Sequence, residues 1–186
     1  MVQLHNGKRN IVLIGFMGCG KSTVGRQLAM RIGFDFKDSD HIIEAEVGMS
    51  VADYFVLHGA PAFREIESRV ILDICSGENQ VISTGGGSIL SVENRKAQSD
   101  SNVVIWMTAR PDVIVARTSR RKGTRPLLMG IENPLEHILK ILAVRAPLYK
   151  EISNRICDTS DRPVYRAVSD IIRACVKRDV KANEAQ

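Results

Sequence analysis

The residues best suited to do chemistry lie in one short stretch, Gly15-Phe16-Met17-Gly18-Cys19-Gly20-Lys21-Ser22, with Thr23 directly after it. The stretch fits G-x-x-x-x-G-K-[ST]. Glycines let a backbone turn tightly and aim successive N–H groups inward, which makes a nest for anions. A helix that begins near Lys21 adds the positive end of its dipole. Lys21 then reaches the outer phosphates of a nucleoside triphosphate, and Ser22 offers an oxygen to Mg²⁺. Gly18, Cys19, Gly20, Lys21, Ser22 and Thr23 are therefore the expected triphosphate-binding residues. An ordinary glycine-rich turn would not need the lysine and the hydroxyls in register.

Four further groups carry reactive or ligand-binding side chains. Asp38 and Asp40 lie two apart in "KDSD". In extended geometry such residues share a face, so the pair could bind Mg²⁺ and receive a proton from a hydroxyl. Helix capping is an equally common use of Asp, and spacing does not choose between the two. Arg64 stands beside Phe63 with Glu67 three residues on, which is also the spacing of an ordinary surface ion pair. Gly85, Gly86 and Gly87 follow "VIST" and would let a ligand approach backbone N–H groups, or would form a loose turn. An acid is expected at the end of that strand in many phosphate-binding folds. Here the strand ends in Ser83 and Thr84, which leaves Asp38 to serve Mg²⁺. Finally, Arg117, Arg120, Arg121, Lys122 and Arg125 crowd one segment, and Arg145 follows later. Solvated surface charge accounts for Arg120, Arg121 and Lys122. Arg125, held by Pro126 in a glycine-hinged loop, suits a mobile lid that brings a cation to a transferring phosphoryl group.

These residues need elements to hold them. Short apolar runs alternate with helical patterns along the chain. "NIVLIG", "FDFKDSD", "QVIS", "NVVIWMT" and "RICDTSD" read as strands. Helices follow in "KSTVGRQLAMRIG", "HIIEAEVG", "SVADYFVLHG" and "APAFREIESRVILDICSG", closed by Gly33, Gly48, Gly59 and Gly77. More follow in "RPDVIVARTSRR", in "PLEHILKILAVRAPLY" as far as Pro147, and in "VYRAVSDIIRACVKR". The segment "DVKANEAQ" is expected to fray. Strand–helix alternation with nearly continuous apolar strands predicts an α/β fold: a parallel sheet of five strands covered on both faces.

Composition narrows the partners. The chain has 186 residues, 44% of them apolar, a net charge of +5 and a pI near 9.2. One domain with a real core is expected. The charge favours anionic ligands, but 5% aromatic residues supply no base-stacking platform, so no nucleic-acid partner is expected. No apolar run spans a membrane, and the polar N-terminus lacks a signal-peptide core. Four cysteines without C-x-x-C spacing point to reduced thiols rather than zinc, hence a cytoplasmic protein.

In order and spacing, "GFMGCGKST", "DSD", "SVADYF", "FREIE", "STGGGS", "RPLL", "RAPLY" and "DTSDRP" resemble the shikimate kinase family over nearly the whole chain, from about Asn10 to Val176. The resemblance implies a single domain over residues 1–186 with a three-layer P-loop kinase fold. It implies a helical substrate-binding region at about residues 39–68, a lid loop at about 117–131 and a frayed tail at 181–186. The implied reaction is ATP plus shikimate to ADP plus shikimate 3-phosphate, with Mg²⁺, by a monomer. Asp40 would contact the substrate hydroxyls and take the proton. Arg64 and Arg145 would clamp the carboxylate, with Gly85, Gly86 and Gly87 beside it and Phe55 and Phe63 walling the ring. Lys21 and Arg125 would stabilise the transferring phosphoryl. Ser22 and Asp38 would hold Mg²⁺, and Arg117 and Arg162 would flank adenine. Cys19 stands where the family often has serine. A thiol at a helix N-terminus can have a lowered pKa, so its alkylation is expected to slow nucleotide turnover. Two other readings are a related small-molecule kinase such as gluconate kinase, and a non-catalytic ATP- or shikimate-binding module. The retained Asp40, Arg64 and Arg125 speak against the module.

Overall fold

A computed structural model describes residues 2–119 and 131–177. Its centre is a five-stranded parallel sheet in the order β2-β3-β1-β4-β5. The strands are β1 (Asn10–Ile14), β2 (Asp35–Asp38), β3 (Gln80–Ser83), β4 (Asn102–Thr108) and β5 (Arg155–Asp158). Each pairs in parallel with its neighbours, β1 with β3 and β4 for example. The described helices are α1 (Lys21–Ile32), α2 (Ser39–Val47), α3 (Val51–Ser76), α4 (Val92–Ser99), α5 (Pro111–Ser119), α6 (Pro134–Ile152) and α7 (Val164–Cys175).

Both faces of the sheet are covered because alternate strand residues feed different cores. Ile11 and Leu13 of β1 join Val103, Ile105 and Met107 of β4 in a cluster with α1 and α7. Val12, Ile14 and Val104 point the other way, to a cluster with α2, α3 and α6. This two-sided burial explains why the strands read as unbroken apolar runs.

The chain reverses its direction of travel across the sheet at β1, whose neighbours are β3 and β4. Such a switch point opens a crevice at the carboxyl ends of the strands. The loops after all five strands meet there, which is where the sequence put its reactive residues.

The two helices expected around Gly59 are both present within α3, parted where Gly59 takes a non-helical φ 80° and ψ 173°. Pro61 then sits in the first turn of the second half, where a missing N–H does no harm. Helix α6 does not stop at Pro147 but continues to Ile152. Helix α4 and a 3₁₀ turn at His5–Gly7 were not anticipated. The N-terminal segment is tied down as well, since Leu4 is buried and bridges Val176. The tail at 181–186 lies outside the described residues.

Candidate active site

The phosphate loop runs from the end of β1 into α1, with Gly20 as the helix N-cap in a left-handed conformation. Lys21 is buried, and its ammonium donates to the carbonyls of Gly15 at 2.8 Å and Phe16 at 3.0 Å. Ser22, on the first turn, donates from Oγ to Asp38 Oδ2 at 2.7 Å, and Ser83 Oγ lies 3.3 Å away. Three hard oxygens thus converge beside the loop, the donor type Mg²⁺ prefers. Among the described residues no group of three or more His, Cys, Asp and Glu could hold a metal by itself. A cation here would depend on phosphate and water for its remaining ligands.

The two readings of the Asp pair both hold, one per residue. Strand β2 ends at Asp38, so Asp38 and Asp40 do not share an extended face. Asp38 caps α2, accepting the Asp40 backbone N–H at 3.2 Å, while its other oxygen holds Ser22. Asp40 sits half-buried in the first helical turn and lines the cavity. Desolvation pushes its pKa above the usual carboxylate range, Asp38 adds to the rise, and Lys21 opposes it. Ser39, fully buried, bonds the Gly85 N–H at 2.9 Å and so ties the start of α2 to the glycine loop.

Arg64 and Glu67 do form an ion pair, but not a surface one, because Glu67 is 1% exposed. Burial raises the Glu67 carboxyl pKa and Arg64 opposes the rise. Glycine lets Asp40, Glu67 and Arg64 lie close against this loop, and a side chain here would displace them. A Cβ on Gly87 would collide with the Arg64 guanidinium, and one on Gly85 would fall 2.8 Å from both Asp40 Oδ1 and Glu67 Oε1. Arg145 is also buried and donates from Nη1 to the Gly86 carbonyl at 3.0 Å. Phe55 and Phe63 meet edge to face, centroids 5.7 Å apart.

Lys21, Ser22, Asp38, Asp40, Phe55, Phe63, Arg64, Glu67, Ser83, Gly85–Gly87 and Arg145 line one cavity of about 620 Å³. The shikimate kinase family model matches residues 17–176. The chain belongs to the shikimate kinase family. It is 42% identical to the shikimate kinase of Symbiobacterium thermophilum, over 91% of this chain and 97% of that one. Against the shikimate kinase of Actinobacillus pleuropneumoniae it is 44% identical, over 89% and 94%. A solved shikimate kinase from Acinetobacter baumannii, in complex with shikimate, superposes with a TM-score of 0.85 at 35% identity, covering 90% of this chain and 92% of that one. A gluconokinase from Sinorhizobium meliloti, at 18% identity and a TM-score of 0.57, shares the fold alone.

Against the shikimate kinase pattern, Gly18, Gly20, Lys21, Ser22, Thr23, Asp38, Asp40, Phe55, Phe63, Arg64, Gly85, Gly86, Gly87, Arg117, Arg145 and Arg162 are brought to this one cavity. Arg125 and most of the predicted lid lie outside the described residues. Arg117 is committed to the back of the phosphate loop, donating to Gly18 O at 3.2 Å, Thr159 Oγ1 at 2.9 Å and Thr159 O at 2.6 Å. Thr159 in turn bonds Cys19 O at 3.0 Å. Arg162 pairs with Asp170 at 3.0 Å.

Cys19 corrects an expectation. Its side chain is 2% exposed and packs into the apolar cluster of α1 and α7. Lys21 and Arg117 lower the thiol pKa, but burial outweighs them and raises it. Burial therefore opposes the activation that the helix N-terminus suggests for this thiol. Sequence reading also missed Thr159 and Tyr149. Tyr149 had a signal, since it stands four residues after Arg145 and shares its helical face.

Proposed function

We propose that the chain transfers the γ-phosphoryl group of ATP to the 3-hydroxyl of shikimate, giving ADP and shikimate 3-phosphate. The observation that carries the reading is the single cavity in which Asp40, Arg64 and Arg145 face Lys21 and Ser22. Arginine forks suit a planar carboxylate better than lysine points do. Arg64 and Arg145 hold the acid group, and Phe55 and Phe63 pack the ring. Asp40 accepts the proton of the attacking hydroxyl. That oxygen forms its bond to the γ-phosphorus as the bond to the β–γ bridging oxygen breaks, and ADP leaves. Lys21 and the N–H groups of Gly18–Ser22 balance the charge on the phosphate oxygens, and Arg125 adds to them from the lid. Ser22 and Asp38 are the residues that would hold Mg²⁺. When bound, the ion neutralises charge on the β- and γ-phosphate oxygens. Arg117 and Arg162 form the nucleoside end of the cavity. Four buried, unpaired cysteines suit the cytoplasm. Among the described residues no helix is long and apolar enough to cross a membrane.

The test is ADP release with ATP and Mg²⁺, measured with shikimate, with gluconate and with neither. Release that depends on shikimate is expected. Release driven by gluconate, or independent of either acceptor, would overturn the proposal.

A further inference from the structure

We infer that Tyr149 is a positioning residue for the acid end of the cavity: its hydroxyl pins the Gly86–Gly87 peptide and so sets the direction of the Gly87 N–H. The inference rests on the shikimate reading and adds a residue to it. Tyr149 is 1% exposed, and its Oη donates to the Gly86 carbonyl at 2.6 Å. Arg145 Nη1 donates to the same oxygen at 3.0 Å. A carbonyl oxygen has two lone pairs, and these two donors account for both.

The peptide after Gly86 is trans, as are all described peptide bonds. In a trans peptide the carbonyl and the following N–H point to opposite sides of one rigid plane. Drawing Gly86 O toward α6 therefore fixes where the Gly87 N–H points. Glycine supplies no side chain to hold that plane, so the restraint must come from its partners. Arg145 cannot be relied on alone. It is assigned to the carboxylate of the substrate, and turning its fork toward that group weakens its hold on Gly86. The phenol is not assigned to the substrate, and its oxygen also lies against the Arg145 guanidinium. It stays a protonated donor across the neutral range, because burial raises its pKa above the ordinary value. Its ring packs beside Trp106, with centroids 5.8 Å apart and planes at 28°.

This arrangement also explains why α6 runs past Pro147. The last turn is needed to carry Tyr149 to the same carbonyl as Arg145, four residues and one turn apart.

The test compares Tyr149→Phe, which keeps the ring and loses the hydroxyl, with Trp106→Phe, which disturbs the packing and keeps the hydroxyl. Removing one donor from a buried carbonyl is expected to raise the KM for shikimate about tenfold in Tyr149→Phe. The kcat and the KM for ATP should stay within about twofold of wild type. Trp106→Phe should leave all three near wild type. Calorimetric titration of shikimate into each protein gives a Kd that does not depend on the fraction folded, and it should follow the KM. A wild-type KM and Kd in Tyr149→Phe overturns the inference. So does a fall in kcat with both KM values unchanged, the mark of lost folded protein. An equal rise in Trp106→Phe also overturns it, because the effect would then belong to packing. A wild-type chain that releases no ADP on adding shikimate overturns the underlying reading, and this inference with it.

Discussion

In the proposed reaction Asp40 faces opposed demands of catalysis and stability. Its pKa is raised chiefly by desolvation, so the folded protein binds this proton more tightly than the unfolded chain does. Stability linked to such a group is present at low pH and is lost as pH rises through the raised value. At neutral pH the ionised carboxylate costs stability, yet only that form can accept a proton from a hydroxyl. The amide of Asp40→Asn removes the cost and the function together. We expect Asp40→Asn to melt at a higher temperature than wild type at neutral pH, with the gap closing as pH falls through the raised pKa. Turnover should drop about 10²–10⁴-fold. Differential scanning calorimetry and the ADP-release assay read the two effects, and a melting point below wild type would mean that the contact with Lys21 outweighs desolvation. Glu67 is buried too, but Arg64 lies against it, and that pair acts as one unit in aiming the guanidinium.

At the scale of elements, the join between β1 and α1 matters most. Gly15 takes φ 135°, and a Cβ there would run into the Met107 carbonyl of the neighbouring strand β4. Met107 is part of the buried sheet and cannot yield. Gly15→Ala combines backbone strain with overpacking, which predicts a loss of about 2–5 kcal/mol of stability. A fall in the urea midpoint at unchanged m-value would measure it; a midpoint equal to wild type would show that the β1–β4 spacing gives way. Helix α4 makes the opposite point about legibility. Hydrophobic periodicity finds helices by their apolar stripe, but α4 turns its polar residues inward. Asn94 and Gln98 are fully buried, while Val92 is 72% exposed. Asn94 donates to Ser88 O at 3.2 Å and Gln98 to Ser88 Oγ at 3.0 Å, directly behind the glycine loop. A helix that packs by hydrogen bonds leaves no apolar period to read. Proline likewise misled the reading of α6, where buried contacts of Arg145 and Tyr149 hold the last turn in place.

For the whole molecule, the sheet acts as a platform for one cavity. In the proposed reaction its nucleotide end belongs to the loops after β1 and β5, and its acid end to the loops after β2 and β3 together with α3 and α6. A ligand that binds only the folded state stabilises it by mass action, by about 2.7 kcal/mol at a hundredfold excess over its Kd. ADP and shikimate should therefore each raise the melting temperature, and the two together should raise it further than either. A thermal-shift titration checks this, and ligands that cancel one another would mean overlapping sites.

The sequence alone determined the α/β class, the five strands and the phosphate loop. Those features depend on local spacing: a two-residue period, a 3.6-residue period, or a loop whose glycines and lysine lie within eight positions. Spacing left Arg64 with an ordinary ion pair and Gly85–Gly87 with a turn, and only the order of all the motifs along the chain marked them out. Only the tertiary structure decided what each charged group meets. It buried Glu67 beneath a half-exposed Arg64, turned Cys19 into the core, gave Asp38 both a cap and Ser22 as partners, and brought Tyr149 to Gly86 across 63 positions of chain. Burial and long-range hydrogen bonding are properties of packed elements, and no periodicity within a single element encodes them.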